Sequence, residues 1–311
     1  MDVAPVAPPD ELARSAFARY GFFQSFAACG AAATAIVNPR LCDDRGAPLG
    51  QVGYLACPDD LETASALLDT VEGWLRARGC RSVLGPMNGG AHRPHRVLMT
   101  GFDRAPFVAE PRNPAHVPRL LERRGYRVLR EWSSFELPLS DLRALLDHRG
   151  FHRAADRAAR RYRIDPLPAH DLGSCVERLH PLLDRVWAGH VGYASIDRDE
   201  LAEALGPVLS LMSDRTIGLV AEKDGPDVGT AFMLRDPARP TTMVLHTLAF
   251  VPGARRHGAP FLIVDRGFDL LERDGITDVI VALVADDFPL FGRIAAPTRS
   301  YALYGKALTR S

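Results

Sequence analysis

The stretch FVPGARRHGAPF, Phe250 to Phe261, joins two segments of different character. The run before it, TTMVLHTLAF, is rich in β-branched and apolar residues and predicts a strand, whereas FLIVDRGFDLLERDG has the apolar spacing of a helix. Arg255, Arg256 and His257 are therefore predicted at the start of a helix. That end of a helix already carries roughly half a positive charge and normally takes acidic residues. A bound anion would explain the basic residues; the alternative is a surface turn with solvated arginines.

The overall charge of the chain shows that any anion site must be local. The 38 basic and 38 acidic residues give a formal net charge of +0, and the isoelectric point is about 7.2. No global electric field would therefore attract nucleic acid or an anionic membrane. The length of 311 residues predicts one large domain or two of about 150 residues, and we favour two.

Membrane, disulfide-rich and metal-binding proteins are all disfavoured by the sequence. The longest apolar runs fall short of the roughly 18 residues of a membrane span, and the N-terminus, MDVAPVAPPDELARS, has no basic region followed by an apolar core. We therefore expect a cytoplasmic protein without a membrane partner. The five cysteines are odd in number and never spaced as C-x-x-C. His92 and His95 have no carboxylate or cysteine cluster nearby, so no metal is expected.

An internal repeat divides the chain into two lobes. A helix-like run ending in RARG precedes the strand-like CRSVLGP, and ERDG precedes ITDVIVALV in the same way. A shift of 196 residues superimposes three pairs: Leu75 on Leu271, Gly79 on Gly275 and Val83 on Val279. We predict an α/β (α+β) fold divided into an N-terminal lobe at 1–140, a linker helix at 141–160 and a C-terminal lobe at 161–311. The arginine-rich linker is expected to be a solvated helix, with nucleic-acid contact as the alternative.

The order of predicted elements in the second half resembles the GNAT superfamily of acyl-CoA-dependent N-acyltransferases. The order is strand, two helices, hairpin, long strand, basic loop, helix, strand, short helix and terminal strand, over roughly residues 160–308. The loop VPGARRHGAP is similar to the family's arginine/glutamine-x-x-glycine-x-glycine/alanine pyrophosphate loop. The first half, with VLGPMN and SSFEL, looks like the amino-terminal lobe of bacterial two-lobed GNAT proteins. The resemblance implies tandem GNAT-like lobes, each a mixed, mostly antiparallel sheet flanked by helices.

The resemblance also implies that the second lobe binds acyl-CoA, most simply acetyl-CoA, as its co-substrate. The diphosphate would bind at the basic loop and helix start, and the amide arm would pair with the end of the preceding strand. The loop residues would be Arg255, Arg256, His257, Gly258, Ala259 and Pro260, and the strand residues Leu248, Ala249, Phe250 and Val251. Pro260 departs from the family pattern, because it replaces a small residue and has no N–H to donate.

The corresponding place in the first lobe predicts no cofactor. At 196 residues before Arg255 to Gly258 the sequence reads Asp59, Asp60, Leu61 and Glu62. Acidic residues suit a helix start that has no ligand, and they would repel a diphosphate. Gly258, in contrast, would let the backbone approach a ligand where a Cβ would collide. We therefore expect one lobe to bind acyl-CoA and the other not.

Several residues are candidates for moving protons. The resemblance implies that an amine attacks the thioester directly, with a base for the amine and an acid for the leaving thiolate. His246, near the end of the long strand, would serve as the base, and Glu222 near the hairpin turn is an alternative. The family's usual acid, a tyrosine, aligns with Phe291, so Tyr304 or Tyr301 would have to replace it. Each of these side chains also fits a structural role.

The acceptor amine is expected near the connection between the first two helices of the second lobe. VWAGHVGYASIDRDE places aromatic residues and a carboxylate there: Trp187, His190, Tyr193 and Asp197. Such a set suits a small amine or amino acid, or equally a packed elbow in which Asp197 caps the next helix. Asp286 or Asp287 would bind a cationic amine or cap a helix. The groove between the lobes, with Asn88 and His92, is a further candidate.

The sequence therefore predicts an N-acyltransferase, most simply an N-acetyltransferase, that acts on the amine of a small molecule or amino acid. Two alternatives remain. A tandem GNAT protein of another type takes its acyl group from aminoacyl-tRNA, but the neutral overall charge gives no reason to expect a nucleic-acid partner. A non-catalytic acyl-CoA-binding protein would be consistent with Pro260 and Phe291.

Overall fold

Both strands and helices occur throughout the described chain. The structure, a computed structural model, describes residues 2–147, 150–212, 217–286, 291–293 and 295–308. Its strands are β1 (Ala4–Val6), β2 (Phe22–Ala28), β3 (Ala31–Cys42), β4 (Pro48–Ala56), β5 (Ser82–Gly85), β6 (Val97–Thr100), β7 (Arg127–Pro138), β8 (Tyr162–Pro166), β9 (Ile217–Glu222), β10 (Asp227–Arg235), β11 (Thr242–Phe250), β12 (Asp278–Ala285) and β13 (Arg299–Ala307). Its helices are α1 (Asp10–Ala13), α2 (Leu61–Arg76), α3 (His116–Arg123), α4 (Leu139–Asp147), α5 (Phe151–Ala158), α6 (Leu172–Trp187), α7 (Arg198–Leu209), α8 (Pro252–Arg256) and α9 (Ala259–Arg273), with 3-10 turns at Ala16–Arg19 and Phe291–Arg293.

All the strands form one sheet that runs through both lobes. Their order is β1-β2-β3-β4-β5-β13-β7-β12-β11-β10-β9-β8, and β6 pairs with β13 beside this path. Each lobe has one parallel pair, β4 with β5 and β11 with β12, and the other pairs are antiparallel. The parallel pairs are joined by α2 and α9, as a parallel connection requires a crossover helix.

The two lobes exchange strands at the centre of the sheet. β13 lies between β5 and β7, with Tyr304 opposite both Gly85 and Val128. β7 in turn pairs with β12, with Val281 opposite Phe135. The predicted C-terminal lobe at 161–311 therefore includes a strand whose neighbours β5 and β6 lie in the first lobe. The predicted linker helix at 141–160 is two helices, α4 and α5.

Helices cover the sheet with their apolar faces. α2 packs its leucines against the first-lobe strands, and α9 packs against β10, β11 and β12 with Phe268 and Leu271 buried. The linker helix α5 lies on α9, with the rings of Phe151 and Phe261 5.3 Å apart. α6 and α7 form a separate cluster with β9 and β10. No helix in the described ranges has the length and apolarity needed to cross a membrane.

The internal repeat is present, but the offset between equivalent residues of the two lobes changes along the helix. β5 and β12 begin 196 residues apart, at Ser82 and Asp278, as predicted. The caps that precede α2 and α9 are Asp60 and Gly258, 198 residues apart. The pairing of Gly258 with Glu62 was therefore wrong by two positions, because α2 has 16 residues and α9 has 15, and the turn after α2 is one residue longer.

Candidate active site

The strands β11 and β12 separate in the middle of the second lobe. Their parallel pairing covers four residue pairs and ends at Leu245 opposite Val281. β11 continues to Phe250 beside β10, while β12 continues beside β7. Beyond Leu245 the described residues give β11 a neighbour on its β10 side only, so alternate residues turn their N–H and C=O groups into the gap. The predicted cofactor-binding strand end, residues 248–251, follows this open edge.

His246 lies where β11 changes direction. Its two neighbours face Met233 and Phe232 of β10, so His246 is an extra residue, a β-bulge, on its strand. The ring is half-buried, with Nδ1 3.0 Å from Thr247 Oγ1. Burial and the positive charge of Arg96 lower the pKa of His246 to about 4. The ring is therefore neutral at pH 7, and one of its nitrogens can accept a proton.

Arg96 reaches this region from the first lobe. Its guanidinium lies over the ring of Trp132 on β7, with Cζ 4.3 Å from the ring centroid. Trp132 is buried and lies opposite Ala285, the last residue of β12. Burial lowers the pKa of Arg96 to about 9, so the side chain is still protonated at neutral pH. This cation makes His246 a weaker base than a free imidazole.

On the β12 side of the gap, hydrogen bonds connect the strand to buried charges. Leu283 has φ +55° and donates its N–H to Ser134 Oγ at 3.1 Å. Ser134 Oγ lies 3.4 Å from the hydroxyl of Tyr301, which donates to Glu110 at 2.7 Å. Glu110 is 3.1 Å from the buried guanidinium of Arg299. These bonds fix β12 where it separates from β11.

The basic loop forms the short helix α8 and then a turn into α9. Arg255 and Arg256 lie in the last turn of α8, not at the start of α9 as predicted, because Pro252 starts a helical turn directly after β11. Both side chains are exposed, and the described chain gives neither an ion-pair partner. Gly258 has φ +83°, and α9 begins at Ala259 without a side-chain cap. The positive end of α9 therefore lies next to two unpaired arginines.

Gly258 also faces the linker helix. A Cβ on this residue would lie 3.7 Å from the carbonyl oxygen of Ala154 and 3.7 Å from the side chain of Ala158 on α5. The left-handed conformation serves the turn between α8 and α9, because residues with a Cβ rarely adopt it. That Gly258 also admits a ligand stays a prediction.

The first lobe covers the equivalent helix start with its own side chain. Asp60 accepts hydrogen bonds from the backbone N–H of Glu62 at 3.2 Å and of Thr63 at 3.0 Å. A hydrogen bond from the Thr63 hydroxyl, followed by these backbone bonds, lowers the pKa of Asp60, so its carboxylate remains charged at the positive end of α2. An anion would meet a negative group already in place there.

The first lobe also fills its gap between parallel strands. The pairing of β4 with β5 ends at Gln51 opposite Leu84, and the loop 86–96 then crosses to β4. Met87 donates its N–H to Val52 O at 2.9 Å, and Asn88 Oδ1 accepts from Tyr54 N at 2.9 Å. The loop thus forms hydrogen bonds with backbone groups of β4. The corresponding groups of β11 have no β12 neighbour in the described chain.

Solved structures show which fold this is. A GCN5-related glucosamine N-acetyltransferase region of a fungal multi-domain GH3 β-N-acetylglucosaminidase has a TM-score of 0.55 at 12% identity, covering 98% of this chain and 38% of that one. A tandem GNAT protein from the clavulanic acid biosynthesis pathway has a TM-score of 0.51 at 12% identity, covering 100% of this chain and 99% of that one. The chain has the two-lobed fold of the GNAT superfamily. The predicted fold class is confirmed.

Two further proteins are similar to this chain. A probable N-acyltransferase from Enterococcus faecalis V583 has a TM-score of 0.54 at 10% identity, covering 99% of this chain and 72% of that one. Bacterial ceramide synthase from Caulobacter vibrioides is 24% identical over 185 residues, 60% of this chain and 47% of that protein. The chain thus spans about half the length of this curated relative. No family model matches the chain.

The tyrosines proposed as acids of the GNAT lobe are engaged elsewhere. Tyr304 is buried in the first-lobe core, and its hydroxyl donates to Glu122 at 2.9 Å. Tyr301 donates to Glu110, and burial raises its pKa far above the usual value. Phe291 packs in the cluster under α9. The structure does not bring Tyr304 together with His246.

The acidic candidates likewise have cationic partners. Glu222 lies at the end of the β9–β10 hairpin, 2.9 Å from Arg161, and both side chains are largely exposed. Asp286 lies 3.0 Å from Arg130 Nε. Asp287 lies outside the described residues. Neither Glu222 nor Asp286 is free to bind an amine without giving up an ion pair.

The predicted acceptor residues form the connection between α6 and α7. Tyr193 donates its hydroxyl to Asp184 at 2.6 Å, and Asp197 caps α7. Trp187 is half-buried against the α6–α7 cluster, and the exposed His190 has Nδ1 3.0 Å from Trp187 O. The side chains support one another as an elbow, the second of the two interpretations that the sequence left open.

This elbow faces the loop 86–96 of the first lobe. Ala91 donates its N–H to Gly192 O at 2.9 Å. His92 Nε2 lies 3.9 Å from Glu200 Oε1 of α7, and burial lowers the pKa of His92 to about 4. The side chain of Asn88 accepts a hydrogen bond from Tyr54 N within the first lobe. The two lobes therefore meet at the groove that the sequence named as a further acceptor site.

Arg96 and Trp132 were not among the residues predicted for the site. In HRPHR, Arg93 and Arg96 are three residues apart and equally basic, but Arg93 lies 3.2 Å from Glu203 whereas Arg96 lies on Trp132. No local pattern separates the two arginines. Their difference arises from the turn of the loop and from β7, which is distant in sequence.

Proposed function

We propose that the protein is an N-acyltransferase that moves an acyl group from acyl-CoA, most simply acetyl-CoA, to the amine of a small molecule. One observation carries the proposal: among the described residues, β11 has an open edge beyond Leu245, with a bulge at His246, next to a helix start that has no side-chain cap. A strand edge can pair with amide groups, and an uncapped helix start beside arginines suits phosphate. CoA carries both kinds of group.

The residues of the second lobe fit acyl-CoA, and those of the first do not. Arg255 and Arg256 would bind the diphosphate, and residues 248–251 would pair with the amide arm. Pro260 contributes no N–H, so one backbone contact of the family pattern is missing. In the first lobe, Asp60 occupies the helix start and the loop 86–96 occupies the gap. Cofactor binding is therefore assigned to the second lobe.

Bound acyl-CoA would supply the acyl group as a reactive thioester. The protein would hold the amine beside it, and good orientation of two reactants lowers a barrier by roughly 7–11 kcal/mol. His246, neutral at pH 7, would accept the proton that the amine loses, which typically contributes about 10²–10⁴-fold. At about 1.36 kcal/mol per tenfold, the base is the smaller of the two effects.

Isothermal titration calorimetry with acetyl-CoA and with CoA tests the cofactor assignment. Replacing Arg255 and Arg256 together by alanine should weaken binding by about a hundredfold or more, since a hydrogen bond to a charged group contributes roughly 1.5–3 kcal/mol. Arg123→Ala, also in the last turn of a helix but in the first lobe, is the matched control and should change nothing. If the unmodified protein bound neither acetyl-CoA nor CoA, the proposal would be wrong. Binding without release of free thiol in the presence of amines would support the non-catalytic alternative.

The amine of a lipid is a second candidate acceptor. The relative that is 24% identical is named a bacterial ceramide synthase, and a ceramide is the N-acyl derivative of a long-chain amine. The rate of CoA release should be compared between two mixtures. One contains acetyl-CoA and small amines, and the other contains palmitoyl-CoA and sphinganine. Faster turnover of the second mixture would assign a lipid acceptor. Aminoacyl-tRNA as the acyl donor, the remaining alternative, would be indicated by binding of tRNA and not of acetyl-CoA.

A further inference from the structure

Arg96 has an unusual backbone conformation for a large side chain. Its φ is +86°, a region that residues with a Cβ rarely adopt. Arg96 N donates to Pro86 O at 3.1 Å, and Met87 pairs with His95 across the loop. The two ends of the loop are thus joined, and the loop directs Arg96 across the lobe boundary. Such a conformation persists only where its surroundings enforce it, and it commonly marks a functional position.

The guanidinium of Arg96 has no anionic partner in the described chain. It lies on the face of Trp132, and its Nε is buried without a hydrogen-bond partner. Arg299, in the same central region, shows the alternative arrangement: its guanidinium lies 3.1 Å from Glu110 and 3.1 Å from Glu136. A cation that is held by an aromatic ring and lacks a carboxylate has donors left for a ligand.

The position of Arg96 relates it to the proposed reaction. Burial, and then the positive charge of Arg96, lower the pKa of His246 at the bulge of β11. Trp132, which supports it, lies opposite Ala285 at the end of β12. The loop that carries Arg96 touches the α6–α7 elbow through the bond from Ala91 to Gly192. Arg96 therefore lies between the acceptor side of the second lobe and the gap that would hold the thioester.

We propose that Arg96 binds an anionic group of the acceptor, a carboxylate or a phosphate, and so places the acceptor's amine beside His246. This inference rests on the proposed N-acyl transfer and names the class of its substrate: an amine that carries an oxyanion. A guanidinium presents paired N–H donors that match the two oxygens of such a group. Binding of the anion also offsets the cationic charge near His246 and makes the histidine a stronger base when the substrate is present.

Calorimetry with two matched pairs of small amines tests this assignment without turnover. Glycine is compared with glycinamide, and 2-aminoethyl phosphate with 2-aminoethanol, in the presence of CoA. The anionic member of at least one pair should bind about tenfold to a hundredfold more tightly than its neutral partner. Arg96→Gln should remove the preference. Arg96→Lys should retain part of it, because lysine keeps the positive charge but lacks the paired N–H donors of the guanidinium. The pair that shows the effect distinguishes carboxylate from phosphate.

Affinity for CoA separates a failure of this inference from a failure of the proposed function. Arg96→Gln should bind CoA as the unmodified protein does, since Arg96 is remote from α8 in the chain and belongs to the acceptor side. Equal affinities within both pairs in the unmodified protein, or a preference that survives in Arg96→Gln, would overturn the role of Arg96 while CoA binding remained. A structural role on Trp132 alone would change stability but not the discrimination between charged and neutral amines.

Discussion

The two lobes share a fold but treat the same two positions in opposite ways. In the first lobe Asp60 caps α2, and the loop 86–96 bonds to the edge of β4. In the second lobe α9 starts at Gly258 without a side-chain cap, and β11 has no neighbour on its β12 side beyond Leu245 in the described chain. The comparison teaches that the first lobe fills with its own residues two positions that the second lobe leaves open in the described chain.

The bulge position shows the same contrast. Gly50 faces Val83 and Met243 faces Val279, so Gly53 in the first lobe corresponds to His246 in the second. A Cβ on Gly53 would lie 2.7 Å from the carbonyl oxygen of Met87, because the loop fills the gap there. The second lobe accommodates a whole imidazole at this place.

Placing a carboxylate at the start of α9, as the first lobe has at the start of α2, should have the largest effect on acetyl-CoA affinity. Gly258→Asp would place a carboxylate at the start of α9, where Asp60 stands in α2. Two unit charges at 4 Å repel by roughly 4 kcal/mol at an effective dielectric constant of 20, so acetyl-CoA affinity should fall by about a thousandfold. Gly258→Asn, similar in shape and tolerant of positive φ, is the control. Equal calorimetric affinities for the two variants would show that no diphosphate binds here.

Removing the base should have the next largest effect. His246→Gln keeps a polar side chain at the bulge but has no titratable nitrogen, and kcat should fall by about a hundredfold, the lower end of general-base effects. Calorimetric affinity for acetyl-CoA should be unchanged, because the histidine is assigned to the amine. Steady-state kinetics measure this split. An unchanged kcat would leave positioning as the whole of the catalytic contribution.

Adding a methyl group to the closed lobe should destabilise the fold. Gly53→Ala would force apart β4 and the loop at Met87, and overpacking of this kind costs about 1–3 kcal/mol. Urea denaturation would measure the loss. Acetyl-CoA binding at a temperature where the variant is folded should be retained, in contrast to Gly258→Asp. Loss of CoA binding in folded Gly53→Ala would contradict the assignment of the cofactor to the second lobe.

Two of the histidines with a lowered pKa, His92 and His246, should make the protein less stable in acid. Each takes up its proton near pH 6.5 when unfolded but only near pH 4 when folded, for His92 and His246 alike. The unfolded state binds more protons between these values, so stability falls as pH falls from about 6.5 to 4. Each histidine contributes a slope of at most about 1.4 kcal/mol per pH unit. Urea denaturation of His92→Gln and His246→Gln across this range should show a shallower slope for each variant.

The smallest expected effect is the loss of the first-lobe cap. Asp60→Ala removes the acceptor of two backbone hydrogen bonds and one from the Thr63 hydroxyl, and should lower the free energy of unfolding by about 1 kcal/mol. Thermal denaturation would detect it. Acetyl-CoA should not bind to the first lobe of this variant, because the loop 86–96 still fills the gap; a calorimetric stoichiometry of two would contradict that explanation.

Local patterns predicted much of this arrangement. The 196-residue repeat placed β5 and β12 correctly, and β11 and α9 lie where their periodicity put them, whereas the basic segment between them forms the helix α8. Such features depend on neighbouring residues. The extra residue in α2 and the extra residue in the turn after it have no strong signal, and together they displaced the comparison of the caps by two positions.

Other features depend on contacts between distant segments, which one sequence does not record. The terminal run YALYGKAL reads as a strand, but its neighbours β5 and β7 precede it by more than 150 residues. Tyr304 was assigned to the second lobe for this reason and lies in the core of the first. The surroundings of Arg96 likewise depend on Trp132, which belongs to a distant part of the chain.

The place of β13 has a consequence for how the protein is made. This strand is synthesised after all the others described, yet it lies between β5 and β7 and completes the hydrogen bonding of both. While the chain is being translated, those two strands present unpaired edges that other chains can join. The amino-terminal half therefore cannot reach its final sheet until the ribosome has released residues 299–307. Separating the halves by proteolysis or by cloning would leave the amino-terminal half without β13 and the carboxyl-terminal half without β7.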